Sequence, residues 1–178
     1  MKPTTSTRSV DSGMEATMMK RSGLVVIVLL WLVLPLSLAR AETRKPVKLA
    51  ERDKCPVCGM FVAKYPDFVA QVIFKDGSYA VFDGVKDMLK YYFNLKKYNQ
   101  SKELSDIDAI YVTDYYDMTM ADGYTAFYVL GSDVFGPMGK ELLPFQSEKA
   151  ANEFMSDHVG QSLLKFRDIS ADTLKGLD

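Results

Sequence analysis

The sequence predicts an α+β fold in which two ββαβ units form one compact domain. Three observations support this prediction. The first half carries two strand patterns, a helical pattern and a further strand, and the second half repeats that order. The chain of 178 residues is 48% hydrophobic, which is ample for a core. It contains only two cysteines, Cys55 and Cys58, which are too few for a scaffold held by disulfides.

The N-terminal region predicts an export signal rather than a part of the fold. Lys20 and Arg21 precede an almost unbroken apolar run at 24–36. The Ala-Arg-Ala sequence at 39–41 is a small-x-small cleavage signal. We therefore assign residues 1–41 to an N-terminal extension with a signal peptide, and we expect the remainder to lie outside the cytoplasm.

An uncleaved anchor is the alternative for the same region. The uncharged stretch 22–39 is 18 residues long, which is close to the minimum for spanning a bilayer. In that case the protein associates with the membrane through its N-terminal segment. Three methionines in the polar region before the apolar run are candidate start residues: Met14, Met18 and Met19. Residues 42–54 are charged and contain a proline, which favours a short extended linker.

The first unit, about residues 55–115, opens with a predicted β-hairpin. Residues 68–74 are rich in aromatic and β-branched side chains, as is typical of a strand. Asp76 and Gly77 predict a tight turn because they tolerate the positive φ that such a turn needs. Residues 79–82 are then the partner strand.

A helix and a strand complete the first unit. Asp83 is the predicted N-cap of the helix. Apolar side chains follow at helical spacing, and they are Val85, Met88, Leu89 and Tyr92. The apolar segment 108–113 predicts the closing strand.

The second unit, about residues 120–170, shows the same order. The predicted strands 125–130 and 141–145 are separated by 131–139, where three glycines and a proline predict an irregular loop. Ser147 is the predicted N-cap of a helix. Its apolar face consists of Ala150, Ala151, Phe154 and Met155. Residues 163–167 predict the closing strand.

Sulfur side chains mark the candidate functional site. Cys55, Cys58 and Met60 lie within six residues. Thiolate and thioether groups are soft donors, which select copper(I) over harder ions. The predicted loop 131–139 can present Met138 as a further ligand. The sequence therefore predicts a copper(I) site formed by Cys58, Met60, Met138 and Cys55.

The Cys-x-x-Cys spacing has other interpretations. A structural zinc site needs a second pair of ligands, and the chain has no other cysteine and a single histidine, His158. A thiol-disulfide oxidoreductase using Cys55 and Cys58 is the alternative function, but its motif normally opens a helix, and Gly59 follows the pair directly. A passive interaction module with a local disulfide is the third interpretation.

Other candidate ligands are weaker. Met88 and Met155 lie on apolar helix faces, where methionine usually fills the core. Met118 and Met120 resemble a spaced methionine pair, and ligation by them stays open. His158 follows the second helix and is expected to interact with its C-terminal carbonyl groups.

Charge and motif content exclude several functions. Residues 42–178 contain 17 Lys and Arg against 21 Asp and Glu, a net charge of 17 − 21 = −4. No basic patch indicates a nucleic-acid partner. The carboxylates are scattered, and we find no acid-base pair, Ser-His-Asp order or phosphate-binding loop. We therefore expect a binding protein and not an enzyme.

The motifs together resemble those of the NosL family, the accessory proteins of nitrous oxide reductase assembly. The shared features run from Cys55 to about Gly160, and they are Cys58-Gly59-Met60, Ser132-Asp133, Gly136 to Gly139, Glu141, Pro144-Phe145, Ala151-x-x-Phe154 and His158-x-Gly160. The resemblance implies a periplasmic copper(I) chaperone with an ABC-type transporter complex as docking partner. It also implies a fold similar to the treble-clef-related core of organomercurial lyase, over residues 55–178.

The resemblance carries over residue by residue, with three departures. The family's Cys-Gly-Met falls on Cys58, Gly59 and Met60, and its loop methionine falls on Met138. Many members lack a cysteine at Cys55, which implies an auxiliary ligand there. The lipid-accepting cysteine of many members is absent, and the family's His-Gly-Gly is His-Val-Gly here. The client can be nitrous oxide reductase or a related copper enzyme.

Overall fold

A computed structural model describes Met1 and residues 44–177 and contains two antiparallel sheets. The predicted signal peptide or anchor therefore lies outside the described residues, apart from Met1. Thr43–Asp178 is a unit with its own internal contacts. Among the described residues, no helix has the length and apolar character needed to cross a membrane.

The first sheet has four strands in the order β2-β1-β3-β4. Its elements in chain order are β1 (Ala70–Phe74), β2 (Tyr79–Phe82), α1 (Val85–Phe93), α2 (Leu95–Tyr98), β3 (Ile107–Thr113) and β4 (Met120–Asp122). The predicted β-hairpin is present as β1 and β2. Its turn contains Gly77 at a φ of 88°, which explains why glycine occupies that position.

The second sheet has three strands in the order β6-β5-β7. Its elements are β5 (Phe127–Gly136), β6 (Gly139–Phe145), α3 (Glu148–Asp157) and β7 (Ser162–Lys165), and α4 (Ala171–Lys175) follows. Ser147 caps α3 as predicted, because its side chain accepts a hydrogen bond from the Ala150 N–H. Short 3₁₀ turns occur at 62–64, 66–68, 104–106 and 166–168.

The α+β class is confirmed, because the described residues form two separate antiparallel sheets together with a few short helices. Elements outside the two predicted units are also present, since the first half contains α2 and β4 and the second half contains α4. The residues of the predicted linker are described from Arg44 onward and lie against the first sheet. There the Gln71 side chain accepts from the Val47 N–H at 2.8 Å and donates to the Val47 carbonyl at 3.0 Å.

The prediction of an irregular loop at 131–139 is wrong. The segment belongs to the hairpin of β5 and β6, with Pro137 and Met138 at the turn. The pairing register shifts between Leu130 and Phe135, and Gly131 lies in this irregularity at a φ of 78°. The glycines therefore mark a bulge and a tight turn within regular structure, which are the places in a hairpin that require glycine.

Candidate metal centre

A tight loop brings the two cysteines to the same place. The Cys55 N–H donates to the Met60 carbonyl, and the Gly59 N–H donates to the Cys55 carbonyl, both at 2.9 Å. Gly59 has a φ of 80°, a left-handed conformation that glycine adopts without strain. A β-bridge between Lys54 and Phe61 closes the base of this loop. The segment has no helical residue, so the helix that an oxidoreductase motif normally opens is missing here.

Two aspartates face the cysteines from the start of α1. The Cys58 thiol donates to Asp83 Oδ1 at 3.2 Å, and the Cys55 thiol donates to Asp87 Oδ2 at 3.4 Å. One ligand atom from each of the four residues lies within 4.8 Å of all the others. The predicted capping role of Asp83 is wrong, because Gly84 is the N-cap and no side-chain cap bond is formed there. Asp83 faces the Cys58 thiol instead.

The carboxylates of this cluster are held away from water. Asp83 is 1% exposed and Asp87 is 3% exposed. Asp83 Oδ2 is buried and has no hydrogen-bond partner among the described residues. A buried acceptor without a donor is costly, and a bound cation supplies the missing partner. The cluster is therefore suited to a positive ion.

Both thiols are protonated at neutral pH in this environment. Burial, together with the hydrogen bond to Asp83, raises the pKa of Cys58 to about 11. Burial raises the pKa of Cys55 more strongly, because this side chain is only 2% exposed. A thiolate here forms when a metal ion displaces the proton. The pair is therefore poorly suited to nucleophilic thiol exchange, and any metal ion that binds here must displace the thiol protons.

A second network fastens the hairpin of β5 and β6 to the same end of α1. Glu141 Oε1 on β6 accepts from the Lys86 N–H at 2.6 Å and from the Leu142 N–H at 2.9 Å. The Lys86 ammonium donates to the Met138 carbonyl at 2.6 Å and to the Leu177 carbonyl at 3.1 Å. Lys86 adjoins Asp87 in the chain, so the turn that carries Met138 is tied to the residue next to the cluster.

The predicted ligands are distributed unequally. Cys55 and Cys58 lie together, and Met60 is half-buried in the same loop. Met138 contacts α1 through its main chain, and its side chain is 44% exposed. The structure thus brings the two thiols together and ties the main chain of Met138 to Lys86 of α1, and ligation by Met60 and Met138 stays a prediction.

The weaker candidates occupy other parts of the fold. Met118 is exposed in the turn before β4, and Met120 is the first residue of β4, where it packs against the core. His158 follows α3, and its ring stacks on Phe154. Its Nδ1 lies 2.9 Å from Asp133 Oδ1, so this ring contacts the bulge of β5.

Sequence reasoning missed Asp83 and Asp87 as members of the site. A signal was present, because residues four apart at the start of a helix share one face. The N-cap interpretation of Asp83 hid this signal. In the sequence, Glu141 stands out only as part of a family motif. Its hydrogen bond with the Lys86 N–H of α1 forms only when β6 packs against that helix.

Glu141 makes stability depend on pH. Burial raises its pKa from an ordinary value of 4.5 to about 7. Below pH 4.5 the carboxyl is protonated in both states. Between about pH 4.5 and 7 the unfolded chain releases this proton while the folded chain retains it, so the free energy of unfolding falls by about 3 kcal/mol as pH rises. Glu141→Gln should remove this fall.

The measurement is denaturant unfolding of both proteins at several pH values from 4.5 to 8. The difference between the two unfolding free energies isolates the contribution of Glu141, since the two proteins differ at that residue alone. If the unfolding free energies of the two proteins change with pH in the same way, Glu141 has an ordinary pKa in the folded protein.

The fold and the donor set define a class of protein: an α+β domain in which two thiols lie beside two buried carboxylates. More particularly, the chain belongs to the NosL family, whose model matches residues 46–174. The resemblance seen in the motifs is thereby confirmed.

Two relatives illustrate the match. The chain is 28% identical over 137 residues to the copper-binding lipoprotein NosL of Stutzerimonas stutzeri, covering 72% of this chain and 67% of the relative. Its fold is similar to the crystal structure of the copper chaperone NosL from Shewanella denitrificans, with a TM-score of 0.63 at 20% identity. That match covers 74% of this chain and 99% of the other, and it confirms the α+β fold.

Proposed function

We propose that this chain is an exported metallochaperone that binds copper(I) and delivers it to a copper enzyme. The observation that carries the proposal is the cluster of two thiols and two carboxylates within 4.8 Å in a member of the NosL family. The printed names of both relatives describe copper binding, and one describes a chaperone. Neither name describes catalysis, in agreement with the expectation that the chain is not an enzyme.

The residues have different roles in this proposal. Cys58 and Met60 are the principal soft donors from the loop, and Met138 completes the set from the hairpin turn. Cys55 is an auxiliary fourth donor. Asp83 and Asp87 accept hydrogen bonds from the thiols in the metal-free form, and their negative charge favours a cation over a neutral occupant.

The oxidoreductase alternative is not favoured. An attacking thiol needs a low pKa, and burial raises the pKa of Cys58 to about 11. The loop of Cys55 and Cys58 also lacks the helix N-terminus that lowers the pKa in such motifs.

The name of a relative and the N-terminal sequence support a periplasmic location. The Stutzerimonas stutzeri relative is named a lipoprotein, which implies export and a membrane anchor. Cys55 and Cys58 are the only cysteines of this chain, and neither lies next to the apolar run. We therefore place the domain in the periplasm and assign membrane association to the N-terminal segment. The acceptor is nitrous oxide reductase or a related copper enzyme, or its ABC-type assembly complex.

Copper(I) titration of the reduced full chain in detergent micelles tests the proposal. Under anaerobic conditions and against a chromogenic copper(I) chelator, we expect one equivalent to bind. Met138→Ala should lower the affinity about tenfold, because one soft donor is lost. Met118→Ala is the matched control, since Met118 is also exposed in a turn and should leave the affinity unchanged.

Two results would contradict the proposal in different ways. An absence of copper(I) binding by the reduced chain would reject the metallochaperone function. Equal effects of the Met138 and Met118 substitutions would retain copper binding but remove the hairpin methionine from the ligand set.

A further inference from the structure

The cysteine loop has the form of one half of a zinc site. Cys55 and Cys58 have the Cys-x-x-Cys spacing of structural zinc sites, and Gly59 follows them at a φ of 80°, which closes the turn. By sequence, the second pair of ligands is missing, because the chain has no other cysteine and a single histidine. The structure supplies a second pair in another form, since the carboxylates of Asp83 and Asp87 face the two thiols.

The separations within this cluster are close to those of a tetrahedral zinc site. With Zn–S bonds of about 2.3 Å and Zn–O bonds of about 2.0 Å, tetrahedral ligands place sulfur and oxygen about 3.5 Å apart. Cys58 Sγ lies 3.2 Å from Asp83 Oδ1, and Cys55 Sγ lies 3.4 Å from Asp87 Oδ2. No pair of the four ligand atoms is more than 4.8 Å apart. The longest pair therefore needs a shift of about 1 Å, which side-chain rotation provides.

The mixture of donors selects the kind of ion. Carboxylate oxygen is a hard donor that contributes little to copper(I), whereas thiolate sulfur is a poor ligand for magnesium or calcium. Zinc(II) is a borderline ion that accepts both, and four protein ligands are the usual number in its structural sites. Two thiols with two carboxylates therefore match zinc(II) better than they match a purely soft or a purely hard ion.

The carboxylates are fixed and kept dry for this purpose. Asp83 immediately precedes the N-cap of α1 and Asp87 lies in the first turn, so the two side chains share one face of the helix start. Asp83 is 1% exposed, and its Oδ2 is a buried acceptor without a hydrogen-bond donor among residues 44–177. Oδ2 belongs to the same carboxylate that faces the Cys58 thiol. A cation bound between them offsets the cost of burying this group.

We propose that Cys55, Cys58, Asp83 and Asp87 hold a zinc(II) ion in a second binding mode of this loop. The mode shares its two thiols with the proposed copper(I) site and uses carboxylates in place of the methionines. Zinc(II) displaces the two thiol protons when it binds, and the loaded chain must release zinc before it accepts copper(I). This inference goes beyond the proposed function and does not depend on it, because divalent binding is measured without copper.

Cobalt(II) titration of the reduced, metal-free full chain in detergent micelles tests the inference. Under anaerobic conditions, one equivalent should produce visible d–d bands of the intensity typical of tetrahedral cobalt(II). It should also produce a near-ultraviolet band from thiolate-to-cobalt charge transfer. Zinc(II) should then abolish both bands at one equivalent, because it binds such sites more tightly and its filled d shell has no d–d transitions.

Variants identify the four ligands. Asp83→Asn and Asp87→Asn should each weaken cobalt(II) binding at least about tenfold, since even an outer-shell substitution has that effect at many metal sites. Cys55→Ser should reduce the charge-transfer band to about half, because one of two thiolates is lost. Asp67→Asn is the matched control, since Asp67 is an exposed aspartate outside the cluster. Thermal unfolding of each metal-free variant checks its fold, and the band intensities of the parent chain test the ligand set without any substitution.

The two binding modes separate at Met138. Met138→Ala, which should lower copper(I) affinity, should leave cobalt(II) affinity unchanged. Weak octahedral bands without charge transfer, or equal binding by the Asp83, Asp87 and Asp67 variants, would overturn the inference. A failed copper(I) titration beside an intact cobalt(II) result would reject the proposed function alone, and the converse result would reject the zinc(II) mode alone.

Discussion

Replacing Cys58 with serine is expected to lower copper(I) affinity by at least about 100-fold, which corresponds to about 2.7 kcal/mol. Sulfur is a soft, polarisable donor that forms a thiolate on metal binding, whereas a hydroxyl group is hard and stays protonated. The substitution changes one atom, and the Cys58 side chain is only partly buried. The fold should therefore persist while the metal site is lost.

Chelator competition under anaerobic conditions measures this effect, with thermal unfolding of the metal-free chain as the check on folding. Cys55→Ser is the matched variant. It changes the same atom in the same loop, and an auxiliary role for Cys55 predicts a smaller loss of affinity. Unchanged affinity in the Cys58 variant would remove this thiol from the site, and a larger effect at Cys55 would exchange the roles of the two cysteines.

Replacing Gly84 with alanine is expected to lower the free energy of unfolding by about 3 kcal/mol. A β-carbon at this position would lie 2.2 Å from Glu141 Oε2 and 3.1 Å from its carboxyl carbon. Glu141 is 3% exposed and accepts the Lys86 N–H at the start of α1. The Glu141 carboxylate cannot move away without losing its hydrogen bond to the Lys86 N–H. The added β-carbon therefore disrupts a buried polar contact. The backbone of Gly84 is extended, at a φ of −170°, and contributes no strain of its own.

A double-mutant cycle separates the clash from other effects. Denaturant unfolding is measured for the parent chain, Gly84→Ala, Glu141→Ala and the combined variant. Once Glu141 is truncated, the alanine at position 84 should cost less than about 1 kcal/mol, because the atoms that it meets are gone. The same cost in both backgrounds would show that the effect of Gly84 does not arise from Glu141.

Local signals in the sequence predicted most of the elements correctly. The Asp76-Gly77 turn, the Ser147 cap and the apolar faces of α1 and α3 depend on residues close in the chain, where spacing is informative. The same reasoning failed at 131–139. Glycine in a bulge or a tight turn has the same local signature as glycine in a loop, and the distinction depends on pairing with β6.

The candidate site likewise contains residues that local sequence patterns predict and residues that only packing brings together. Cys55 and Cys58 were found because soft donors at close spacing have few other uses. The sequence predicts Asp83 as the N-cap of α1, since aspartate is a preferred residue at that position of a helix. The structure places Glu141 from a distant strand at that helix start, which leaves Asp83 free to face the Cys58 thiol.

The sequence by itself therefore determined the class of the fold, the loop with the soft donors and the family to which the chain belongs. Only the tertiary structure decided which carboxylates face the thiols and how Lys86 and Glu141 hold the hairpin of Met138. The physical reason is that short-range patterns specify elements, whereas burial and contact between residues far apart in the chain arise only when the elements pack. A metal site with donors from separate elements is a product of that packing.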